Sequence, residues 1–165
     1  MQYRGLSDNV YGGWRIKCVI TFFLFLLFAL VSCEEEYISP IPNAPVSINL
    51  DLRFEQDLVN IPFTCKIIKE KPVGMRQGFG GVLIVHGYGD NFPPLYAYDL
   101  ACPHEVDRNI VVIPDSAGKA RCPKCGSVFI TMWGTGAPEG NSVARYPLKS
   151  YRVIVNGNNT CLISN

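Results

Sequence analysis

The sequence has few histidines, little excess charge and no long helical pattern outside its N-terminal region. It contains two histidines in 165 residues, and its formal net charge is +1. A balanced charge gives no basic field to attract a nucleic acid, so the composition argues against a nucleic-acid partner. The glycines do not form a dinucleotide-binding fingerprint, which requires a strand, a glycine loop and a helix in succession. A chain of this length has room for about one domain.

The N-terminal region is typical of an export signal. Residues 18–31, CVITFFLFLLFALV, are apolar apart from one threonine, and Arg4, Arg15 and Lys17 precede them. This order matches a basic region followed by an apolar one, and the apolar block is shorter than the roughly 20 residues of a membrane-spanning helix. We therefore expect residues 1–32 to be a signal peptide.

The segment LVSC, residues 30–33, resembles the lipobox of bacterial lipoproteins. The resemblance implies lipidation of Cys33 and a mature chain held by its lipid in the cell envelope, at the outer membrane or on the cell surface. The three glutamates after Cys33 resemble the surface-export signals of Bacteroidetes lipoproteins, and they also suit a solvated tether. Residues 33–45, which are acidic and proline-rich, are the expected tether, and residues 46–165 are the expected domain.

The rest of the chain predicts short strands separated by turns rich in Gly, Asp, Asn and Pro. Strands at this spacing are typical of an all-β sandwich or barrel. The predicted strands are residues 46–52, 62–68, 81–85, 95–100, 109–113, 127–133, 150–155 and 160–164.

Two cysteine-containing segments have the spacing of a metal site. Cys102, His104, Cys122 and Cys125 form the pattern C-x-H, seventeen residues, then C-x-x-C, and proline follows the first cysteine of each segment. Thiolate and imidazole ligands suit zinc and iron–sulfur centres. The residues leave three possibilities open: an iron–sulfur cluster, zinc or another single metal ion, and metal-free loops in which Cys122 and Cys125 form a disulfide.

The order of these segments resembles the Rieske family, which carries C-x-H and C-x-x-H on two loops at the tip of an antiparallel β domain. The match extends through GVLIVHG and PPLYAYDLACPHEV to RCPKCGSVF and YPLKSYRVIV. Over residues 46–165 it implies a Rieske-like antiparallel β-sandwich or barrel with a two-loop cluster-binding subdomain. It also implies a 2Fe–2S cluster and one-electron transfer with an unidentified redox or envelope protein partner.

Cys125 stands where the Rieske family has its second histidine. By resemblance, Cys102 and Cys122 hold one iron of the cluster, and His104 and Cys125 hold the other. A third thiolate adds negative charge to the oxidised cluster and resists reduction. Rieske centres span about −150 to +300 mV and plant-type centres lie near about −400 mV, so we expect an intermediate or low potential.

Two further residues of the second segment match the family. Gly126 permits the tight turn after Cys125, and Ser127 corresponds to the serine that donates a hydrogen bond to a cluster sulfur. The segment 140–146 lacks the family's usual Gly-Pro cover, and the paired extra cysteines of the respiratory-complex members are absent.

The histidine count argues against a stand-alone enzyme. A Rieske oxygenase needs a second, mononuclear iron with two histidines and a carboxylate, but His86 is the one histidine besides His104. We expect His86 to be structural, at the end of a strand, and we expect no catalytic residues. An electron-transfer or binding protein is favoured.

The export signal supports an alternative to the cluster. A preloaded iron–sulfur protein crosses the membrane folded and needs a twin-arginine signal, but the N-terminal region has no adjacent arginines. Zinc can be acquired after export, and Cys-Pro-x-Cys-Gly is also a zinc-knuckle signature. The alternative function is therefore a zinc-stapled or metal-free envelope module with a binding or structural role.

Cys65 and Cys161 remain once the lipid and the metal site have taken the other cysteines of the mature chain. A disulfide between them would leave no odd thiol in an exported protein. Two separately buried thiols are the alternative.

Overall fold

The computed structural model describes residues 39–69, 76–90 and 92–165. These residues lie within one compact unit, Ile38–Asn165. The expected signal peptide, Cys33 and the first part of the expected tether fall outside the described residues. Within the described ranges, no helix is long and apolar enough to cross a membrane.

The regular secondary structure of the described residues is almost all β-strand, which confirms the predicted all-β class. A seven-stranded sheet, which we call the main sheet, has the order β2-β4-β5-β10-β11-β1-β3, and a four-stranded small sheet has the order β6-β7-β8-β9. All strand pairs are antiparallel. The strands are β1 Val46–Asp51, β2 Cys65–Ile68, β3 Arg76–Gln77, β4 Val82–His86, β5 Leu95–Asp99, β6 Ile113–Pro114, β7 Lys119–Arg121, β8 Val128–Ile130, β9 Ala137–Pro138, β10 Ser150–Asn156 and β11 Thr160–Ser164. A 3-10 turn, Leu52–Phe54, and a short helix α1, Gln56–Asn60, connect β1 to β2.

Strand β4 is buried on both faces and separates two hydrophobic cores. All five of its residues are buried. Val82 and Ile84 belong to the first core, which also contains residues of β1, β10 and β11 of the same sheet. Leu83 and Val85 belong to the second core, which includes residues of the small sheet. Because successive side chains of a strand point to opposite faces, an unbroken apolar strand is what a position between two cores requires.

The fully buried carboxylate of Asp99 fixes the end of β5 through four hydrogen bonds. Its Oδ1 atom accepts from the backbone N–H groups of Gly80 at 3.0 Å and Ala101 at 2.8 Å. Its Oδ2 atom accepts from the backbone N–H of Phe79 at 2.8 Å and the hydroxyl of Tyr151 at 2.6 Å. The network therefore sets the backbone path immediately before the first cysteine-containing segment.

The structure departs from the predicted elements mainly where segments are very short. The strands β3, β7 and β9 and the helix α1 were not predicted, and the predicted strand 109–113 is reduced to β6 and an isolated bridge between Ala101 and Val111. The end of the expected tether also differs, because Ile41 is buried and the Lys149 ammonium donates to Asn43. Part of the segment 33–45 thus packs on the domain.

The Asp99 network makes a stability prediction. Tyr151→Phe removes one donor from a buried carboxylate, and we expect it to lower the free energy of unfolding by about 1.5–3 kcal/mol. Tyr88→Phe is the matched control, since it removes a hydroxyl from a half-exposed ring and should change stability by less than about 0.5 kcal/mol. Urea unfolding of both variants measures the difference, and equal stabilities would contradict the role given to Asp99.

Candidate metal centre

The first cysteine-containing segment, residues 102–110, forms a closed loop after β5, which we call the first loop. The N–H of Cys102 donates to the carbonyl of Ile110 at 3.1 Å, and the N–H of Val106 donates to the carbonyl of Cys102 at 3.0 Å. The Asp107 carboxylate accepts from the N–H of Asn109 at 2.8 Å and tightens the turn. These bonds hold Cys102 completely buried at the base of the loop.

The second loop, residues 122–127, joins β7 to β8 in the small sheet. The N–H of Cys122 donates to the carbonyl of Ser127 at 2.9 Å, and the N–H of Gly126 donates to the carbonyl of Cys122 at 3.0 Å. Gly126 has a φ of +73°, a left-handed conformation that glycine adopts without a steric cost. The turn leaves Cys122 buried and Cys125 partly exposed.

The two loops bring three thiols together. The sulfur atoms of Cys102, Cys122 and Cys125 all lie within 4.8 Å of one another. The sulfurs of Cys102 and Cys125, which lie on different loops, are 3.7 Å apart. Three thiolates around a single tetrahedral ion with metal–sulfur bonds of about 2.3 Å lie about 3.8 Å apart. The arrangement can therefore chelate a thiophilic metal without moving the backbone far.

The surroundings of the thiols affect their protonation differently. Burial raises the pKa of Cys102 to about 12, although the backbone N–H groups of Glu105 and His104 act in the opposite direction. The pKa of Cys125 lies below that of an ordinary cysteine. Burial of this thiol acts to raise the pKa, but its hydrogen bonds with Ser127 and the two neighbouring thiols lower it by more. A metal must therefore displace a proton from Cys102 when it binds.

Ser127 connects the second loop to the segment 140–146. Its buried hydroxyl oxygen lies 3.2 Å from the sulfur of Cys125 and accepts from the N–H of Ala144 at 2.9 Å. Ser142 adds a second connection, because its hydroxyl bonds both the N–H and the carbonyl of Val128 at 3.0 Å. This segment therefore lies against the second loop, although it lacks the Gly-Pro cover that is usual in the family the sequence resembles.

The two histidines lie in different environments. His104 follows Cys102 in the first loop and is exposed, and it is not among the residues whose ligand atoms cluster within 4.8 Å. The structure thus brings together three of the four predicted ligands. His86 is buried at the end of β4, and its Nδ1 atom lies 2.8 Å from the carbonyl oxygen of Leu58, as expected for a structural residue.

An ion pair joins the two loops and was not found in the sequence. The Nζ atom of Lys124 lies 2.6 Å from the Oε2 atom of Glu105, whose side chain is only 11% exposed. Glu105 follows the predicted ligand His104, and Lys124 precedes the predicted ligand Cys125. Their opposite charges are the one feature of the sequence that could have indicated this ion pair.

The disulfide between Cys65 and Cys161 does not form in the structure, where both residues are free thiols. Cys65 lies on β2 and packs against the second core, whereas Cys161 lies on β11 in the first core. Three strands, β4, β5 and β10, lie between β2 and β11 in the order of the main sheet. The structure therefore has the alternative arrangement of two separate thiols.

Comparison with known proteins gives similar structures but no family. No family model matches the sequence, and no curated protein matches it. The ferredoxin of carbazole 1,9a-dioxygenase from Nocardioides aromaticivorans IC177 is 22% identical, with 72% of this chain and 95% of that chain covered and a TM-score of 0.41. A chain from the complex of reduced oxygenase and oxidized ferredoxin in carbazole 1,9a-dioxygenase is 20% identical, with 61% and 89% covered and a TM-score of 0.40.

The placement of Cys65 and Cys161 makes a prediction for thiol mapping. Non-reduced peptide mapping should find the two residues unlinked. Burial raises the pKa of Cys161 to about 11. The pKa of Cys65 is also raised, mainly by burial and to a smaller extent by the negative charge of Asp115. At pH 8 both thiols should therefore alkylate more slowly than an ordinary cysteine in the native protein, Cys161 the more slowly because it is fully buried. A linked Cys65–Cys161 peptide would contradict this arrangement.

Proposed function

We propose that this protein is a Rieske-like electron carrier whose two loops hold a 2Fe–2S cluster through Cys102, Cys122, Cys125 and His104. The observation that carries the proposal is the convergence of three thiols, from two separate loops, within 4.8 Å of one another. Thiolate and imidazole are the ligands of Rieske-type clusters. The order of C-x-H and C-x-x-C in the sequence supports the same centre.

The residues at the site fit such a cluster in chemistry and in burial. Cys102 and Cys122 are buried, so they would shield the inner part of a cluster from water. His104 lies two residues after Cys102 in the same loop and is exposed, so its imidazole is available as the ligand nearest to solvent. A bound cluster supplies one-electron chemistry, and an exposed ligand is where an electron can pass to a partner.

The chain tunes the centre through the groups around Cys125. A cluster with three thiolates and one neutral imidazole carries one more negative charge than a cluster with two of each. The Ser127 hydroxyl, 3.2 Å from the Cys125 sulfur, stabilises charge on that thiolate. The expected potential is consequently lower than that of ordinary Rieske centres but higher than it would be without the hydroxyl.

A zinc-stapled module is the second candidate, and the mutual spacing of the sulfurs favours it. Ligands that share one tetrahedral ion lie about 3.8 Å apart, close to the 3.7 Å between the sulfurs of Cys102 and Cys125. In the Rieske arrangement these two cysteines bind different irons. Zinc would fix the two loops and support a binding or structural role without redox chemistry.

The remaining parts of the proposal concern location and partners. We propose that the chain is exported, lipidated at Cys33 and held at the bacterial outer membrane. The likeness of LVSC to a lipobox and the apolar block before it support this location. The partner in electron transfer would be another redox protein of the envelope.

Replacing Cys125 with histidine separates the two candidates. In a cluster, Cys125→His removes one negative charge from the oxidised centre and should raise the reduction potential toward the Rieske range of about −150 to +300 mV. Metal analysis with voltammetry of the anaerobically purified wild type and variant measures both identity and potential.

Ser116→Ala is a suitable control, because Ser116 is exposed in the turn between β6 and β7 and should not affect the centre. Iron and inorganic sulfide with an unchanged potential in Cys125→His would show that Cys125 is not a ligand. Stoichiometric zinc in both proteins would overturn the electron-carrier proposal, since zinc accepts Cys₂His₂ as readily as Cys₃His.

The location makes a separate prediction. Cys33→Ser removes the sulfur atom through which a lipobox cysteine is lipidated, so the variant should move from the membrane to the soluble fraction. Fractionation of cells expressing the wild type and the variant measures this shift. Continued membrane association of Cys33→Ser would contradict lipid anchoring at this residue.

A further inference from the structure

The two loops that carry the thiols belong to different sheets. The first loop follows β5 of the main sheet, and the second loop joins β7 to β8 of the small sheet. Hydrogen bonds within each loop set its own shape, from Cys102 to Ile110 and from Cys122 to Ser127. Those bonds do not set the distance between Cys102 and Cys125, which depends on how one loop is held against the other.

The ion pair between Glu105 and Lys124 bridges the two loops beside the thiols. Its atoms are 2.6 Å apart, and each partner lies next to a ligand residue, Glu105 after His104 and Lys124 before Cys125. The other ion pairs among the described residues lie elsewhere, joining Arg53 to Asp51, Lys66 to Glu55 and Lys119 to Glu139.

Burial makes this contact more constrained than an ordinary surface pair. The Glu105 side chain is 11% exposed, while that of Lys124 is 61% exposed. Burying a carboxylate without a partner costs free energy, so contact with the Lys124 ammonium stabilises the charged form of Glu105. The ion pair therefore adds a polar contact between the two loops to the core packing that already brings them together.

We propose that Glu105 and Lys124 are positioning residues, which hold the two loops with the Cys102 and Cys125 sulfurs at ligating distance before any metal binds. The inference rests on the proposed metal site, because it explains how that site is assembled. Neither residue ligates the metal. Their contribution is to raise the effective concentration of the Cys125 thiol near the Cys102 thiol.

Disulfide formation in the metal-free protein measures that effective concentration directly. The full chain, stripped of metal by a chelator, is equilibrated in a glutathione redox buffer and mapped for disulfides. Each disulfide forms when two thiols pass two electrons and two protons to oxidised glutathione, which becomes two reduced glutathione molecules. The Cys102–Cys125 disulfide reports the distance between loops, and the Cys122–Cys125 disulfide, within one loop, is the internal reference.

We expect Glu105→Gln and Lys124→Gln each to lower the ratio of inter-loop to intra-loop disulfide by about two- to fivefold, the range for one partly exposed ion pair. The charge exchange Glu105→Lys with Lys124→Glu should restore much of the ratio. Raising the salt concentration should lower the wild-type ratio toward that of the variants. Lys119→Gln is the matched control, since it breaks an ion pair of the small sheet that does not join the two loops.

An unchanged ratio in both single variants, or a charge exchange no better than they are, would overturn the proposal. The readout needs no bound metal, so it stays decisive if the protein proves to hold zinc or nothing. A failure of the electron-carrier proposal is thus distinguishable from a failure of this one.

Discussion

The packing of the small sheet against β4 and β5 determines where the two cysteine loops meet. Leu83, Val85 and Tyr98 of these strands share the second core with Cys102 and Cys122. The thiols are thus part of a hydrophobic core as well as candidate ligands. Any change that separates the sheets would expose this core and pull the sulfurs apart at the same time. Stability of the fold and assembly of the site therefore depend on the same contacts.

The sequence predicted what depends on local pattern. The alternation in β1, with Val46, Ile48 and Leu50 buried, and the unbroken apolar run of β4 both carry a clear signal. Strands of two or three residues, such as β7, are too short to show any period. They form because they make backbone hydrogen bonds with neighbouring strands, as β7 does with β6 and β8.

The candidate site was predictable in part for the same reason. The spacing of the cysteines indicated one site, and the structure places three of the four residues together. The outward position of His104, the ion pair of Glu105 with Lys124, and the separation of Cys65 from Cys161 depend on tertiary packing. The periodicity and spacing of residues in a single sequence do not indicate which side chains meet in the folded protein.

Native mass spectrometry of the anaerobically purified full chain identifies what the two loops hold, because the added mass distinguishes a cluster from a single metal ion. We predict one group of two irons and two sulfides per chain, lost together when Cys102 or Cys122 is replaced by serine. A chain carrying a single zinc ion, or a chain with no added mass and three freely alkylated thiols at 102, 122 and 125, would contradict it.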